Sequence, residues 1–322
     1  PVLDIELLAG TGAEDPLRQD LALGPVQEGG QILLEAATVK IRGTNSKHRL
    51  ALDLQSLPAK LQLIMQGGLG PNLAIWSGYL EQLGAGTADS GNWQLERAAA
   101  LQLAVEQAAL GEACLREAGD GSRVCMRGDW SRAAGGILAA SLEGLPMSRL
   151  ASDFDAELSG QLAGSLAVDG ALGARASFDM SPGTIRVELE QGVKRLAHGG
   201  GEMEMLVGRE GLDADIRFEA PQRGLVQAQL RLQGLNRWPM PEPQPLAGRV
   251  RAELPDLSGL PALIPELGRS AGRLDADLQL AGSLEQPVIT GQLALVDGAA
   301  DIPLAGLQLR DMVFSADSAS RE

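Results

Sequence analysis

The stretch Leu274-Asp-Ala-Asp-Leu-Gln-Leu-Ala-Gly282, followed by Val288-Ile-Thr-Gly-Gln-Leu-Ala-Leu295, decides the fold of this chain. In both segments apolar and polar residues alternate, which gives a strand one apolar and one polar face. The glycines between such segments allow the chain to turn or bulge. We therefore expect neighbouring strands of one sheet, with aliphatic side chains on one face.

The same alternation recurs over most of the 322 residues. Further strands are predicted within 31–42, 49–55, 61–66, 154–168, 212–218, 225–232 and 305–309. The fold class is therefore all-β, a long sheet whose aliphatic face must lie against something. What lies against that face becomes the question of function.

One segment has helical spacing instead. Asp256 can cap a helix in which Leu257, Leu260, Leu263, Ile264 and Leu267 share one side. Pro265 limits this helix, predicted near 257–267, to about two turns. A helix this short is expected to cover an open sheet end or groove, and we favour that over membrane binding because the segment carries no lysine.

Composition restricts the partners. Hydrophobic residues make up 44% of the chain but aromatic residues only 3%, so the apolar face is built from Leu, Ala, Val and Ile. The 42 acidic and 27 basic residues give a formal net charge of −15. That sign disfavours nucleic acid as a partner, and it equally disfavours attachment through anionic lipid.

Organisation along the chain predicts two segments. Residues 1–145 are expected to form a β-rich groove segment, and 146–322 to continue the β-groove repeats with the short helix near 257–267. The chain begins and ends within strand patterns, so we interpret it as a fragment of a longer protein. It contains no apolar run near the ~18 residues that span a bilayer.

Cys114 and Cys125 are the only cysteines, and they flank a Gly-Asp-Gly hairpin-turn signal at 119–121. Strands folded back at this turn would place the two cysteines opposite one another. They would form a disulfide in an oxidising compartment, and otherwise stay two buried thiols. A zinc site is poorly supported because the two histidines are distant.

Motifs that would indicate an enzyme do not fit their surroundings. Gly268-Arg-Ser-Ala-Gly272 matches a nucleophile elbow, but a helical segment precedes it and no histidine follows it. His48 and His198 are isolated, and His198 is expected in a solvated loop. We therefore expect no catalytic residue, no metal site, no cofactor and no enzymatic activity.

Several segments in this order resemble the TamB family of bacterial envelope proteins. They are Trp76-Ser-Gly-Tyr-Leu80 with Leu83, Trp93-Gln-Leu-Glu96, Cys114, Val124-Cys125, Gly128-Asp-Trp130, Leu142-Glu-Gly-Leu-Pro146, Leu246-Ala-Gly-Arg-Val250, Asp256-Leu-Ser-Gly-Leu260, Gly272-Arg-Leu-Asp-Ala-Asp-Leu278, Leu280-Ala-Gly-Ser-Leu284, Pro287 and Gly291-Gln-Leu293. The resemblance runs from about residue 40 to the C-terminus. Leu115 departs from it, because the family pattern has Trp after the first cysteine.

The resemblance implies a curled, taco-shaped β-sheet with a lipid-compatible groove. It also implies a periplasmic protein of a Gram-negative bacterium that is anchored in the inner membrane and works with TamA, an outer-membrane barrel of the Omp85 class. Two activities have been associated with the family: carrying phospholipid between the membranes, and assembling or secreting outer-membrane proteins such as autotransporters.

We predict that the groove is lined by one aliphatic strip that contacts phospholipid acyl chains. Its members, taken from the alternation, are Leu158, Leu162, Leu166, Val168, Ile216, Phe218, Leu230, Leu232, Leu278, Leu280, Leu293, Leu295, Leu307 and Leu309. Two alternatives stay open. A closed sandwich or solenoid would bury the strip as dry core, and a chaperone for outer-membrane strands would use unpaired sheet edges.

Overall fold

The computed structural model describes residues 3–8, 12–28, 31–56, 59–72, 74–87, 91–189, 192–234, 244–258, 269–302 and 307–318. Antiparallel strands dominate them, which confirms the all-β prediction. The chain divides into two compact units, Pro1–Gly144 and Leu145–Glu322. The division predicted from the sequence falls after residue 145.

The first unit is a ladder of strands joined mostly by short turns. Its strands are β1 Leu3–Leu8, β2 Pro16–Leu23, β3 Val26–Glu28, β4 Gln31–Leu34, β5 Ala36–Thr44, β6 His48–Gln55, β7 Ala59–Leu69, β8 Ile75–Thr87, β9 Gly91–Leu95, β10 Ala99–Ala104, β11 Gln107–Glu117, β12 Arg123–Ser131 and β13 Gly135–Pro146. The sheet runs β1-β2-β5-β6-β7-β8, where β8 pairs with both β9 and β10. Both of those pair with β11, which continues to β12 and β13. Strands β3 and β4 form a separate pair.

The second unit repeats this arrangement. Its strands are β14 Phe154–Asp155, β15 Glu157–Leu166, β16 Leu172–Met180, β17 Gly183–Leu189, β18 Gly192–His198, β19 Gly200–Gly208, β20 Gly211–Ala220, β21 Gly224–Gln233, β22 Leu246–Leu254, β23 Arg269–Gly282, β24 Pro287–Ile302 and β25 Leu307–Ser318. The main sheet runs β15-β16-β19-β20-β21-β22-β23-β24-β25. Strands β14, β17 and β18 form a small sheet of their own, and single 3-10 turns occupy Met147–Arg149 and Pro221–Arg223.

A bulge in β24 shifts the pairing register within the long strand pair β23–β24. The pairing shifts by one residue between Arg273↔Val296 and Ala271↔Ala299. The extra residue is absorbed near Asp297, whose φ of 50° lies in the left-handed region that aspartate tolerates. Because the side-chain period is two, this insertion changes which residues of β24 face the aliphatic side after it.

The glycines, proline and asparagine at 67–72 have the composition of a loop, but β7 continues to Leu69. A Cβ atom at Gly67 would lie 2.6 Å from Cζ2 of Trp76 and 2.7 Å from Cα of Gly78. Glycine at this position therefore marks a close approach of two strands and not a turn. Likewise β8 extends through Thr87, although it contains glycines at positions 84 and 86.

The predicted disulfide hairpin is confirmed. Cys114 of β11 lies directly opposite Cys125 of β12, and their Cα atoms are 4.0 Å apart. Of the predicted helix near 257–267, residues 259–267 lie outside the described residues. Within the described part, Leu257 is buried at 5% exposure and the Ser258 amide donates to Oδ1 of Asp256 at 2.7 Å.

Candidate functional site

The main sheet of the second unit places mostly apolar side chains on one side of its central strands and mostly polar ones on the other, where Leu206 and Leu225 are apolar exceptions. Residues that face each other in an antiparallel pair share a side of the sheet, so register defines rows that cross several strands. The rows on one side are Phe218–Val226–Ala252–Ala276–Leu293, Met203–Ile216–Ala228–Val250–Leu278, Met205–Ala214–Leu230–Gly248–Leu280 and Val207–Leu212–Leu232–Leu246. We call this side, together with its continuation on β15, β16 and β24, the aliphatic face.

Eleven of the predicted strip residues lie on the aliphatic face and are half-buried. They are Leu158, Leu162, Leu166, Ile216, Phe218, Leu230, Leu232, Leu278, Leu280, Leu293 and Leu295. Their contact with an acyl chain stays a prediction.

The other three strip residues have different surroundings. Leu307 and Leu309 are on β25, where they lie opposite Ile302 and Ala300 of β24. Their side chains are 49% and 36% exposed. Val168 lies outside the sheet in the turn between β15 and β16, where its side chain is 64% exposed. The Val168 position differs from the expected strand because the alternation continues two residues past the end of β15 at Leu166.

The strip predicted from the sequence misses three strands of the same face. Phe178 on β16, Met203 and Met205 on β19, and Val250 on β22 complete it between the predicted members. The signal was present in the alternation of glutamate with methionine at 202–205.

Glycines on the aliphatic face accommodate its largest side chains. A Cβ atom at Gly160 would lie 2.4 Å from Cδ1 of Phe178, so the ring occupies the space above this glycine. In the same way, Cδ2 of Leu230 would be 2.9 Å from a Cβ atom at Gly248. Large side chains thus lie over neighbouring glycines, and the surface of the aliphatic face stays smooth.

The opposite face carries cross-strand ion pairs. Arg231 Nε is 2.6 Å from Oδ1 of Asp213, Arg249 bonds both oxygens of Asp277, and Arg251 lies 3.5 Å from Asp277. The hydrogen bonds from Arg249 lower the pKa of Asp277. All these groups are exposed, so the pairs add little stability, but a one-residue slip would move them onto the aliphatic face. Their main effect is therefore on register.

The first unit has an aliphatic side of the same kind. Leu50, Leu52 and Leu54 of β6 lie opposite Met65, Leu63 and Leu61 of β7. Its densest part is a cluster of Leu80, Ala99 and Ala113, against which Leu63, Met65, Leu83, Leu95 and Leu110 pack. The two units therefore share one design, in which aliphatic side chains cover one side of a sheet.

The chain exposes much more surface than a compact protein of its mass. Its accessible surface is 19930 Å² at 33.6 kDa. Scaling with mass gives about 12,700 Å² for one globule, and about 15,300 Å² for two globules of half that mass. Among the described residues, only Ser122 has a side chain that is less than 2% exposed. The aliphatic sides are accordingly half-buried by their own neighbours and lack the complete burial of a closed core.

The small sheet of β14, β17 and β18 contacts one end of the aliphatic face. The ring of His198 lies 5.5 Å from the ring of Phe218 and 6.0 Å from that of Phe154. His198 is only 4% exposed, so the solvated loop expected from the sequence is wrong. The glycines after it are not a free loop, because β19 begins at Gly200 and leads directly into the main sheet.

The other candidate chemical groups have structural partners. Ser270 of the elbow-like motif is buried, and its hydroxyl donates to the carbonyl of Leu257. His48 lies 3.0 Å from the Thr44 carbonyl through Nδ1 and accepts from Nε1 of Trp76 at 2.9 Å. Across the residues that the structure describes, no group of three His, Cys, Asp or Glu side chains is placed to hold a metal ion.

The chain matches the family model described as TamB, N-terminal domain, over residues 24–295. No curated protein and no solved structure matches it. In the part of the chain that the structure describes, no helix is both long and apolar enough to cross a membrane.

Proposed function

This chain belongs to the TamB family, and from that premise we propose that its aliphatic face conducts phospholipid acyl chains between the inner and outer membranes for outer-membrane biogenesis. The observation that supports this most is the combination of unbroken aliphatic rows across β19–β23 with the large accessible surface of the chain. Soluble proteins avoid such apolar exposure unless it binds something.

The dimensions of the aliphatic face suit one lipid tail. From Leu212 to Phe218 the face crosses β20 over six residue steps, which is about 20 Å. The tails of one leaflet occupy about 15 Å, half of a hydrocarbon core of about 30 Å. A tail can thus lie wholly on the face while its head group reaches water at the margin.

Movement along the face follows from its chemistry. Each buried CH₂ group contributes about 0.8 kcal/mol, so a tail gains substantially on leaving water. The rows offer Leu, Ile, Val, Met and Ala with no polar anchor, so neighbouring positions bind with nearly equal free energy. A bound chain then slides without a deep minimum, and conduction needs neither a catalytic residue nor a cofactor.

The cellular setting belongs to the same proposal. We place the chain in the periplasm as part of a protein anchored in the inner membrane, with a TamA-like barrel of the Omp85 class as its outer-membrane partner through parts outside this chain. The bond between Cys114 and Cys125 is compatible with that oxidising compartment.

A second candidate function is the delivery of strands to outer-membrane proteins. It is favoured by β25, which pairs with β24 and with no other strand among the described residues. An unpaired edge can accept an extended segment through main-chain hydrogen bonds. In that case binding would require the edge and not the aliphatic face.

Native mass spectrometry of the purified chain after incubation with phosphatidylethanolamine vesicles tests the first function. We expect bound lipid on the unmodified chain and loss of it when a charge is placed on the aliphatic face. If the unmodified chain acquires no lipid, the proposal is refuted. If it instead binds an extended outer-membrane strand peptide that competes at β25, strand delivery is supported.

A further inference from the structure

The small sheet of the second unit is inserted where the chain leaves β16 and returns to β19. Strands β17 and β18 form a hairpin within this connection, and β14 pairs with β17. Alternation places Phe154, Ile185, Leu196 and His198 on one side, and Ile185, Leu196 and His198 are all buried. Because His198 lies against Phe218, this side covers one end of the aliphatic face.

The ring of His198 is neutral in this arrangement. Its Nδ1 atom accepts a hydrogen bond from the Gly200 amide at 3.1 Å, so the remaining proton belongs on Nε2. Nε2 is inaccessible to solvent and has no hydrogen-bond partner in the part of the chain that the structure describes. The histidine therefore holds one satisfied acceptor and one buried, unsatisfied donor between two aromatic rings.

The surroundings of both ring nitrogens make protonation of His198 to the imidazolium unfavourable. A proton on Nδ1 would point at the Gly200 N–H, so two donors would face each other. The charge would also lie beside aromatic rings, with Nε2 inaccessible to bulk solvent and without an acceptor among the described residues. Burial accordingly lowers the pKa of His198 below its ordinary value of 6.5.

Among the side chains that the structure describes, no charged group offsets this effect. The charged residues on the elements around the ring are Asp153, Asp155, Arg186, Arg195, Glu202, Arg217, Glu219 and Arg223. Asp155, Arg186, Arg195 and Glu219 directly follow or precede an inward-facing residue, so alternation turns them to the opposite side of their strands. The side chain of Lys194, which precedes His198 by four residues on β18, lies outside the described part of the structure. Burial is the only cause that shifts the pKa of His198.

We propose that the small sheet is a lid on the Phe218 end of the aliphatic face, and that protonation of His198 releases it. This inference rests on the proposed function in so far as the uncovered surface accepts lipid. With the lid closed, Phe218 is covered by His198. With the lid open, the end of the row Phe218–Val226–Ala252 becomes accessible to an acyl chain.

The pH range follows from the direction of the shift. A lowered pKa means that the open lid binds a proton more readily than the closed lid. The closed lid is therefore fully stable above about pH 6.5 and loses stability as the pH falls through and below that value. Within this range the ratio of closed to open lid falls by up to tenfold per pH unit, as for one proton.

Hydrogen exchange measured by mass spectrometry between pH 5 and pH 8, corrected for the intrinsic rate, tests the lid. Peptides from β17 and β18 are expected to lose protection as the pH falls, while peptides from β21 and β22 do not. His198→Asn keeps an acceptor for the Gly200 amide but cannot be protonated in this range, so its lid should show no pH dependence. His198→Phe serves as a second non-titrating variant if the asparagine variant folds poorly, and His48→Asn is the matched control. A pH dependence that persists in both His198 variants, or its absence in the unmodified chain, overturns the proposal.

Lipid uptake at pH 5.5 and pH 7.5 separates the lid from the proposed function. The lid predicts several-fold faster uptake of phosphatidylethanolamine at the lower pH, and no such difference in His198→Asn. Equal uptake at both pH values, with exchange still pH-dependent, would refute the lid as a control of lipid access while leaving conduction intact. If no variant takes up lipid at either pH, the proposed function fails instead, and the exchange data alone decide whether the small sheet opens.

Discussion

Leu278 of β23 lies directly opposite Val250 of β22 on the aliphatic face. The residues that follow them, Gln279 and Arg251, lie on the opposite face of the sheet, which carries the ion pairs and is called the charged face. Gln279 is paired there with Arg249, and Arg251 with Asp277. Two residues that are adjacent in the sequence therefore lie on opposite faces of the sheet, one aliphatic and one charged. This relationship provides matched pairs of substitutions that differ only in the side of the sheet.

The first prediction uses such a pair. Leu280→Glu or Leu293→Arg on the aliphatic face should abolish lipid binding, because a charge facing an acyl chain costs several kcal/mol. The empty face is open to water, so the unfolding midpoint should change little. Gln279→Glu on the opposite face is the control and should affect neither. The measurements are lipid crosslinking at the face and urea unfolding.

Two outcomes of that experiment would contradict the proposal. If Leu280→Glu and Leu293→Arg unfold outright, the aliphatic side is a closed dry core. If both variants fold, bind no lipid, and still restore envelope integrity in cells lacking the parent protein, lipid conduction is not the function and strand delivery is favoured.

The second prediction concerns the contact between Gly160 and Phe178. Gly160→Ala should lower the free energy of unfolding by about 1–3 kcal/mol, because the new methyl group overlaps the ring and the Ser177 carbonyl. Gly164→Ala, on the same strand and side, should be neutral or stabilising by up to about 1 kcal/mol, since its nearest neighbour would be 3.8 Å away. Urea unfolding measures both. Equal destabilisation by the two variants would show that the ring does not occupy this space.

The third prediction concerns the disulfide. Replacing Cys114 and Cys125 together by serine should lower the free energy of unfolding by roughly 2–3 kcal/mol, because the bond restricts the unfolded chain over a short loop. Peptide mapping without reductant should recover the two cysteines as one linked peptide from protein made in an oxidising compartment. Recovery of free thiols there would refute the bond. Ser141→Ala, at the position opposite Cys125, serves as the control.

The fourth prediction concerns the charged face. Arg249→Gln should raise the pKa of Asp277 toward its ordinary value of 3.8, because the bonds from Arg249 are the main cause of its low value. Arg251→Gln should raise it less, since Arg251 lies farther from Asp277, at 3.5 Å compared with 2.6 Å for Nε of Arg249. Carbon-13 NMR of the aspartate carboxyl follows this titration. The ion pair stabilises the fold above the ordinary pKa of Asp277 and stops doing so as the pH falls through the lowered pKa. On acidification, both variants should therefore unfold at a slightly higher pH than the unmodified chain. A larger shift in Arg251→Gln would contradict the assignment.

Some parts of the fold could be predicted residue by residue. Period-two alternation located β20, β21, residues 274–282 of β23 and the first half of β24, and the Gly-Asp-Gly turn located the disulfide pair. These signals are local, because a strand with one covered face repeats every two residues wherever it lies. Eleven members of the predicted strip share one face of the sheet for the same reason, and their contact with acyl chains stays a prediction.

Other parts could not be predicted because they depend on contacts between distant residues. Val168 continues the alternation of β15, but the chain turns away after Leu166 to meet β16. Gly67 has the composition of a loop, yet its close approach to Gly78 and Trp76 keeps it in a strand. In both cases the partner strand decides the outcome, and the sequence around the residue does not contain it.

The sequence by itself determined that this chain is an all-β protein with aliphatic side chains on one side, because alternation and glycine spacing are encoded locally. Only the tertiary structure decided the surroundings of His198. The sequence places it before three glycines, where a solvated loop is the simplest expectation. The fold instead brings Phe154, 44 residues before it, and Phe218, 20 residues after it, into contact with its ring. Burial and the loss of a hydrogen-bond partner arise from that packing, because they are properties of the space around a side chain and not of its neighbours in the sequence.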